Sequence, residues 1–582
     1  MHCRSYVLLE NKAQYGILSL SYFDNRVLTP RRSISSIRLC SPTLPAKITA
    51  KVTAITQRKD KPASKRFSSL LSTHTPIIST ARNITTAPTM QADESYLSAV
   101  RDLNGLQTNY QIIQQIKASG GRINESSIPE FEAFLEKIGH PVADLDRLNV
   151  IHVTGTKGKG STCAFVSSVL QQVTASEPEL QPRLKVGLFT SPHLIEVRER
   201  IQINGQPLSQ DKFAQYFYET FNALRSHQPP LRLVTPESPT MPMYFRFLTL
   251  MAFHAFLAEG VDVAVVEVGV GGQYDSTNVV RRPVVCGIAS LGIDHQGALG
   301  STIGEIAWHK AGIIKPHVPV FTVPQPPEAM RVIAQRADDR QAQLSVANYA
   351  SETAAGRALG IPGDHQRTNA ALAEALSREW IRCKLPDANP CAINRWVADG
   401  LRTAHWPGRS QKFVSPRCSA LTWHVDGAHT PESMAACAQW FASGSTGGSG
   451  STGGSGSAPC VLLFNAAHDR NAQALLETLW RHTSAQCNFV AAVFCPNLSM
   501  RADSANFTVL DDQALAAQRE SARLWTQTSG CTDVSVMPNI NAAVDYVEGR
   551  FGAKSSSAPT RVLATGSLHL VGGVLDAAKG SL

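Results

Sequence analysis

The sequence predicts an α/β fold, in which a doubly wound, mostly parallel sheet is followed by a smaller α/β domain. Three observations carry this expectation. An apolar strand-like run, Asn149–Val153, enters a turn with three glycines, and Cys163–Gln171 beyond it has the apolar spacing of a helix. Strand and helix patterns then alternate to about residue 340, which implies parallel βαβ units. A second alternating series follows the break at Trp406-Pro407-Gly408-Arg409. Together they describe a P-loop-type sheet followed by a Rossmann-like domain.

The turn reads Gly155-Thr-Lys-Gly-Lys-Gly-Ser-Thr162. Glycines let backbone N–H groups approach phosphate oxygens, a helix N-terminus adds the positive end of its dipole, and Lys159 adds a full charge. The spacing is not the Walker one, which has four residues between the first glycine and Gly-Lys; here Thr156 and Lys157 stand there alone. A glycine-rich turn by itself also fits a plain connection. The strand before it, the helix after it and the order Gly-Lys-Gly-Ser-Thr favour a nucleotide.

At 582 residues the chain is too long for one core. Its formal net charge of +9 suggests a nucleic-acid partner, but residues 1–89 hold 14 Lys/Arg and 3 Asp/Glu, a net of +11, so the remainder sits near −2. The basicity belongs to the N-terminal stretch, and nucleic-acid binding is set aside. The 12 cysteines form no Cys-x-x-Cys pair and no His/Cys metal spacing, the pattern of reduced intracellular thiols. No run of 18 apolar residues occurs, so no transmembrane segment is expected; Met251–Leu257 belongs to a stretch interrupted by Arg246 and His254.

Residues 1–95 read as an extension. Met1–Thr89 is Ser/Thr/Arg-rich and poor in acids, which suits a mitochondrial transit segment and also fits a disordered tail or a misplaced start. A second start near Met90 would give a cytoplasmic form. Helices are expected over Ser98–Leu106 and Pro129–Ile138, the second with proline at its first position. After the glycine loop come a strand at Lys185–Phe189, helices at Gln210–Leu224 and Met243–Glu259, and strands at Val261–Val268 and Val284–Ala289. A helix at Thr302–Gly312, a strand at Val318–Val323 and a helix at Pro327–Arg340 follow, then helices at His365–Glu379 and Ala392–Thr403. The second series runs through Leu421–Val425, Pro431–Phe441, Cys460–Phe464, Ala472–Arg481, Phe489–Phe494, Asp512–Thr528, Ala542–Val547 and Val562–Ala564. The expected domains are 96–404 and 405–582. Within the second, the Gly/Ser/Thr stretch 444–457 has no apolar residue to bury and reads as a flexible insertion with no catalytic role.

Doubly wound sheets bind ligands at the carboxyl ends of their strands. Ser191, Glu267 and His295 fall at or just after such ends. With a phosphate loop they suggest a Mg²⁺ shared between protein and phosphate oxygens, since Mg²⁺ keeps few protein ligands and several waters. Histidine is an unusual Mg²⁺ ligand, and Glu267 also fits a turn acid. Lys310, on a helix, has the ordinary reading of a solvated lysine. Asp426-Gly-Ala-His-Thr430 combines a strand-end acid, a tight turn and a helix start; a plain turn capped by Thr430 fits as well. Arg409 is either an interdomain charge reaching phosphate or a surface arginine.

These words occur in a series that resembles the folylpolyglutamate synthases of the Mur ligase superfamily, in particular the eukaryotic branch. The series is the glycine loop, Ser191-Pro-His-Leu-Ile-Glu-Val-Arg-Glu-Arg-Ile201, Tyr244-Phe-Arg-Phe-Leu-Thr-Leu-Met251 and Glu267-Val-Gly-Val-Gly-Gly-Gln-Tyr-Asp-Ser-Thr-Asn278. It continues with Leu291-Gly-Ile-Asp-His295, Trp308-His-Lys-Ala-Gly-Ile-Ile-Lys315, His365-Gln366, Trp406-Pro-Gly-Arg409, Asp426-Gly-Ala-His-Thr430 and Thr565-Gly-Ser-Leu-His-Leu-Val-Gly-Gly573. One segment departs from the family: Phe464-Asn465-Ala466-Ala467-His468-Asp469-Arg470 stands where a Thr-Gly-Asp-Arg-like run is common.

The resemblance implies an ATP-dependent ligase that joins L-glutamate to the γ-carboxylate of tetrahydrofolate and its polyglutamates through an acyl phosphate, acting as a monomer. It implies ATP contacts at Gly158, Lys159, Gly160, Ser161, Asn369, Arg409 and Asp426, and Mg²⁺ ligands at Ser191, Glu267 and His295. His429 falls in the turn associated with glutamate. Lys310 matches a lysine that is carbamylated in related enzymes. Lys159, Lys310 and His295 are thereby the expected catalytic residues, and a monovalent cation such as K⁺ is a further expectation. Two alternatives stay open: a dihydrofolate synthase or bifunctional enzyme using the same machinery, and a P-loop NTPase acting as a switch or binding module.

Overall fold

The computed structural model describes residues 92–107, 124–176, 184–236, 238–348, 358–444, 458–467, 470–498, 515–552 and 559–579. All lie in one compact unit spanning Thr85–Leu582. The transit-segment reading, Met90, residues 445–457 of the insertion and Asp469 fall outside the described residues.

The first sheet has eight strands: β1 Ile151–Thr154, β2 Val186–Phe189, β3 Ile201–Ile203, β4 Gln206–Pro207, β5 Val263–Glu267, β6 Val285–Ile288, β7 Val320–Thr322 and β8 Leu344–Val346. Their spatial order is β4-β3-β2-β5-β1-β6-β7-β8. Six run parallel, while β3 folds back antiparallel on β2 and β4 antiparallel on β3. β1 sits between β5 and β6, with Ile151 opposite Val265 on one side and Val285 on the other. The connection from β1 runs to β2 on one side, and β6, β7 and β8 are later added on the other, which makes the carboxyl end of β1 the topological switch point where such sheets bind ligands.

β1, β2, β5 and β6 are buried along their whole length, so they read as continuous apolar runs without alternation. The helix Lys159–Ser176 follows β1 and is covered by the helices Asp364–Lys384 and Pro390–Thr403. Phe165, Val166, Val169, Leu170 and Val173 on it are all fully buried, because it has the sheet on one side and helices on the other. Gly400 permits that approach: a Cβ there would overlap the Val169 backbone, and its carbonyl accepts a 2.8 Å hydrogen bond from Ser168 Oγ. The other face of the sheet carries an aromatic core with Phe213, Phe217, Phe247, Phe253 and Phe256.

The second sheet comprises β9 Gln411–Val414, β10 Leu421–Asp426, β11 Pro459–Phe464, β12 Asn488–Phe494, β13 Val534–Val536 and β14 Thr560–Thr565. Its order is β13-β12-β11-β14-β10-β9, and only β9 is antiparallel. It has separate cores on its two faces, around Trp423 and Val562 on one and Phe464 and Trp525 on the other.

The first lobe also reaches into the second. Leu194 and Ile195 pack against the core of the second sheet. Gly408 and Gly572 make room for Leu194: a Cβ at Gly408 would lie 3.0 Å from its Cδ1, and one at Gly572 would overlap its carbonyl oxygen.

Several elements differ from expectation. The helix expected from Pro129 begins at Ser127, which leaves Pro129 within the first turn, where N–H groups lack helical partners anyway. The hairpin β3–β4 was not anticipated, although Asn204-Gly205, both at positive φ (50° and 76°), is a strong two-residue turn signal. The helix Leu568–Lys579 carries Gly572 and Gly573 inside it, which hides its period in the sequence. The short edge strand β13 offers only Val-Ser-Val. Of the helix expected over Asp512–Thr528, the described part is Ala516–Ser529.

One central strand of each sheet holds a buried histidine. His152 in β1 is fully buried with Nε2 2.9 Å from Thr277 Oγ1, and burial, with Lys315 nearby, pushes its imidazole down to about 3. His424 in β10 is also buried, and burial together with Arg561 pushes it down to about 3. Both are neutral when folded yet titrate near 6.5 when unfolded. Between those values the unfolded chain binds more protons, so stability falls as pH drops. Each histidine can cost up to about 1.4 kcal/mol per pH unit in that window. Urea unfolding at pH 7, 6 and 5 is expected to show this slope, and His152→Gln or His424→Gln to flatten it. A slope identical in all three proteins would remove the explanation.

Candidate active site

A cavity of about 1360 Å³ opens at the carboxyl ends of both sheets. That exceeds the roughly 300–1,000 Å³ of an ordinary small-molecule pocket, so there is room for more than one ligand. The first lobe contributes Thr156–Ser161, Ser191, Arg200, Glu267, Asp294 and His295; the second contributes Arg409, Asp426, His429 and Arg470.

The loop is held from below by main chain. Thr156 N and Lys157 N donate to Ser290 O at 2.9 and 3.0 Å. Gly158 has φ +87°, and a Cβ there would overlap Asn369 Oδ1. Asn369, on the helix Asp364–Lys384, thereby presses on the loop while Gln366 Oε1 accepts from its amide at 2.9 Å. The helix begins at Lys159, four residues earlier than its apolar spacing suggested. Gly160 and Ser161 are in its first turn, and the indole of Trp406 stands 3.4 Å from where a Gly160 Cβ would be. The interlobe segment therefore roofs the loop.

Glu267 ends β5 and is 4% exposed. Its Oε2 accepts from Ser191 N–H at 3.0 Å, and its Oε1 lies 3.9 Å from Lys159 Nζ. Burial raises its pKa, and Lys159, the Ser191 N–H, Arg409 and Arg200 oppose that rise. His295 caps the short helix Gln296–Leu299 in a left-handed conformation, φ 54°. Burial and the cations around it lower its pKa, which favours the neutral imidazole with a lone pair to offer. Asp426, at the end of β10, is tied down by Ser410 N–H at 2.7 Å and Ala428 N–H at 3.0 Å. His429 Nδ1–H donates to Gly427 O at 3.0 Å. Burial, with Lys157 nearby, pushes that imidazole down to about 4, so its Nε2 is left as an acceptor.

Of the residues expected from the sequence, Gly158, Lys159, Gly160, Ser161, Ser191, Glu267, His295, Asn369, Arg409, Asp426 and His429 share this one cavity. Lys310 does not line it. It is 3% exposed behind the loop, where Nζ donates to Gly155 O at 2.8 Å. The expectation of a solvated lysine is thus overturned. Burial and the charge of Lys159 push Lys310 down to about 7.

The sequence reading passed over a three-membered clasp. Lys157 Nζ meets Asp294 Oδ2 at 3.0 Å, and Arg470 reaches Asp294 Oδ1 at 3.4 Å, joining the loop, the His295 turn and the second lobe. Burial would raise Asp294, but Lys157, His295 and Arg470 hold its carboxyl well below the usual range. Its position one residue before His295 was the available signal. At the far end the cavity is partly apolar, with Met243, Phe245, Tyr274 and Ile293, beside the ion pair of Arg246 and Glu130 at 2.9 Å.

The donor set fits Mg²⁺ in one way. Among the described residues no group of three or more His, Cys, Asp and Glu side chains is gathered for a metal. A buried carboxylate with one oxygen facing the loop, a hydroxyl and a neutral imidazole would instead share the ion with phosphate oxygens and water, as Mg²⁺ requires.

No protein-family model matches the chain. It is similar to the mitochondrial folylpolyglutamate synthase of Bos taurus, with 39% identity over 87% of this chain and 96% of that one. The corresponding Homo sapiens protein is 40% identical over 82% and 91%, and a probable folylpolyglutamate synthase of Schizosaccharomyces pombe is 38% identical over 83% and 94%. Among solved structures, Mycobacterium tuberculosis folylpolyglutamate synthase complexed with ADP and AMPPCP aligns with TM-score 0.62 at 24% identity, covering 83% of this chain and 98% of that one. Escherichia coli FolC in complex with DHPP and ADP aligns with TM-score 0.57 at 22% identity, covering 84% and 98%. At these identities the structures show a shared two-sheet α/β fold.

Proposed function

The chain belongs to the folylpolyglutamate synthase family, and from that premise we propose that it uses ATP to join L-glutamate to the γ-carboxylate of tetrahydrofolate and its polyglutamates. The observation that carries this reading is the cavity. It brings a phosphate loop from one lobe and Arg409, Asp426 and His429 from the other to a single space large enough for a nucleotide and an acceptor.

The chemistry needs both lobes. A carboxylate does not condense with an amine at neutral pH without activation. An oxygen of the γ-carboxylate attacks the γ-phosphorus of ATP and ADP leaves, which gives an acyl phosphate. The amine of glutamate, having lost its proton, attacks the acyl carbon; phosphate leaves and the amide remains. The loop N–H groups and Lys159 hold the transferring phosphoryl group, and Arg409 meets it from the second lobe. Mg²⁺ held by Ser191, Glu267 and His295 would offset charge on that group. His429 Nε2 offers an acceptor for a proton of the glutamate ammonium. Closure of the lobes keeps water from the acyl phosphate.

Lys310, pushed down to about 7 by burial and by the charge of Lys159, has a share of the free amine that carbamylation needs. A ¹³C-carbonate NMR signal in wild type that disappears in Lys310→Arg checks this, and its absence in both removes it. K⁺ belongs to the same reading, measured as turnover in K⁺-free buffer. We place the enzyme, as a monomer with domains 96–404 and 405–582, in mitochondria, with residues 1–95 as transit segment and a cytoplasmic form starting near Met90. One intact chain from Met1 in both compartments would remove the second form, and sedimentation reads the monomer.

The test supplies purified protein with Mg-ATP, glutamate and either tetrahydrofolate or dihydropteroate, and sizes the products by mass. Tetrahydrofolate is expected to gain one or more glutamates, with one ADP formed per amide. Extension of dihydropteroate alone would reassign the chain as a dihydrofolate synthase. ATP hydrolysis without glutamate incorporation would make it an NTPase of another kind.

A further inference from the structure

Among the described residues Arg200 is a buried cation that makes no ion pair. It is 9% exposed and lines the cavity. Among the described residues its guanidinium makes one side-chain hydrogen bond, from Nε to His193 Nδ1 at 2.9 Å, and no ion pair. The neighbouring acid is already committed. Glu199 accepts from Leu194, Ile195 and Glu196 N–H at 2.8, 3.0 and 2.7 Å, and so fixes the short turn Val197–Arg200 as a rigid base. The guanidinium carbon lies 5.4 Å from the centre of the Tyr244 ring, within cation–π range. A desolvated guanidinium with both terminal nitrogens unpaired is costly unless an anion completes it, and its fork matches a carboxylate.

Its place in the cavity indicates which carboxylate. Arg200 stands beside the ring of Tyr244, the first residue of the helix Tyr244–Ala258. Phe245, next to the Tyr244 platform, continues into the apolar wall with Met243 that suits an aromatic acceptor. Arg409, His429 and Arg470 occupy the side contributed by the second lobe. The terminal glutamate of a folate carries two carboxylates, and only the γ one is to be phosphorylated. Resting on the functional reading above, we propose that Arg200 binds the α-carboxylate of the folate's terminal glutamate and leaves the γ-carboxylate facing the loop.

The experiment compares tetrahydrofolate with an analogue ending in γ-aminobutyrate, which keeps the reacting carboxylate and lacks the other. Wild-type enzyme is expected to show a KM roughly 10- to 100-fold higher for the analogue, the worth of a charge-assisted pair. Arg200→Gln should raise the KM for tetrahydrofolate by a similar factor, bring the two acceptors close to equality and leave the KM for ATP unchanged. Arg200→Lys should fall between. If Arg200→Gln does not fold, the wild-type comparison and Arg200→Lys decide. Equal use of both acceptors by wild type overturns the assignment, as does undiminished discrimination in the folded variants or a KM effect on free glutamate instead. Those results leave the ligase reading standing. Wild-type enzyme that extends neither acceptor overturns that reading and the assignment with it.

Discussion

Lys159→Ala is expected to fold normally and to lose glutamate ligation by at least about 10³-fold, the scale set by cationic groups that meet a transferring phosphoryl group. The side chain is at the first position of its helix, and its nearest charged partner is Glu267, at 3.9 Å. That is longer than a hydrogen bond, so little native structure depends on it. Steady-state turnover with tetrahydrofolate, beside a thermal melt, separates the two effects. An unchanged Tm with lost turnover is the expected pair; near-wild-type turnover would remove Lys159 from the phosphoryl step.

Glu267→Gln is expected to lose turnover by about 10²- to 10³-fold without loss of stability. The sign follows from its burial. A carboxyl whose folded pKa is raised above its unfolded value contributes stability below the unfolded value, and loses it as pH rises through the folded one. At neutral pH the ionised Glu267 is therefore a cost that burial imposes and Lys159, the Ser191 N–H, Arg409 and Arg200 only offset. Replacing the charge with an amide of the same shape removes that cost. Turnover and urea unfolding at pH 7 read the two halves. A variant that is clearly less stable would show Glu267 to be a structural acid, and one that remains active would show that the phosphate site does not use its charge.

The phosphate loop was legible because its requirements are local. Three glycines, two lysines and three hydroxyl residues between a strand and a helix state their purpose in eight residues, even with irregular spacing. Ser191, Glu267 and His295 could be picked out because Glu267 ends a strand, and the other two follow strand ends, of a sheet whose parallel order the alternation implied. What stayed hidden depends on contacts between distant segments. Ser290 supports the loop with a carbonyl that any residue would supply. Asp294 looks like a turn acid until Lys157 and Arg470 converge on it from two lobes. Lys310 reads as an exposed helical lysine, yet the capped helix Ile303–Ala311 turns it inward to the Gly155 carbonyl. The β3–β4 hairpin was within reach, since Asn204-Gly205 announces it.

Leu194 ties these lobes together mechanically. It sits against Gly408 and Gly572, only three residues from the Ser191 N–H that holds Glu267. A hinge movement that unseated it would drag Ser191 too, so that docking of the second lobe and assembly of the phosphate site become one event. For medicinal chemistry, that makes the socket a point of leverage remote from the nucleotide. A small apolar wedge lodged under Leu194 should inhibit without competing with ATP, which rising nucleotide concentration could then not relieve; competitive kinetics against ATP would show that the wedge had simply found the nucleotide pocket.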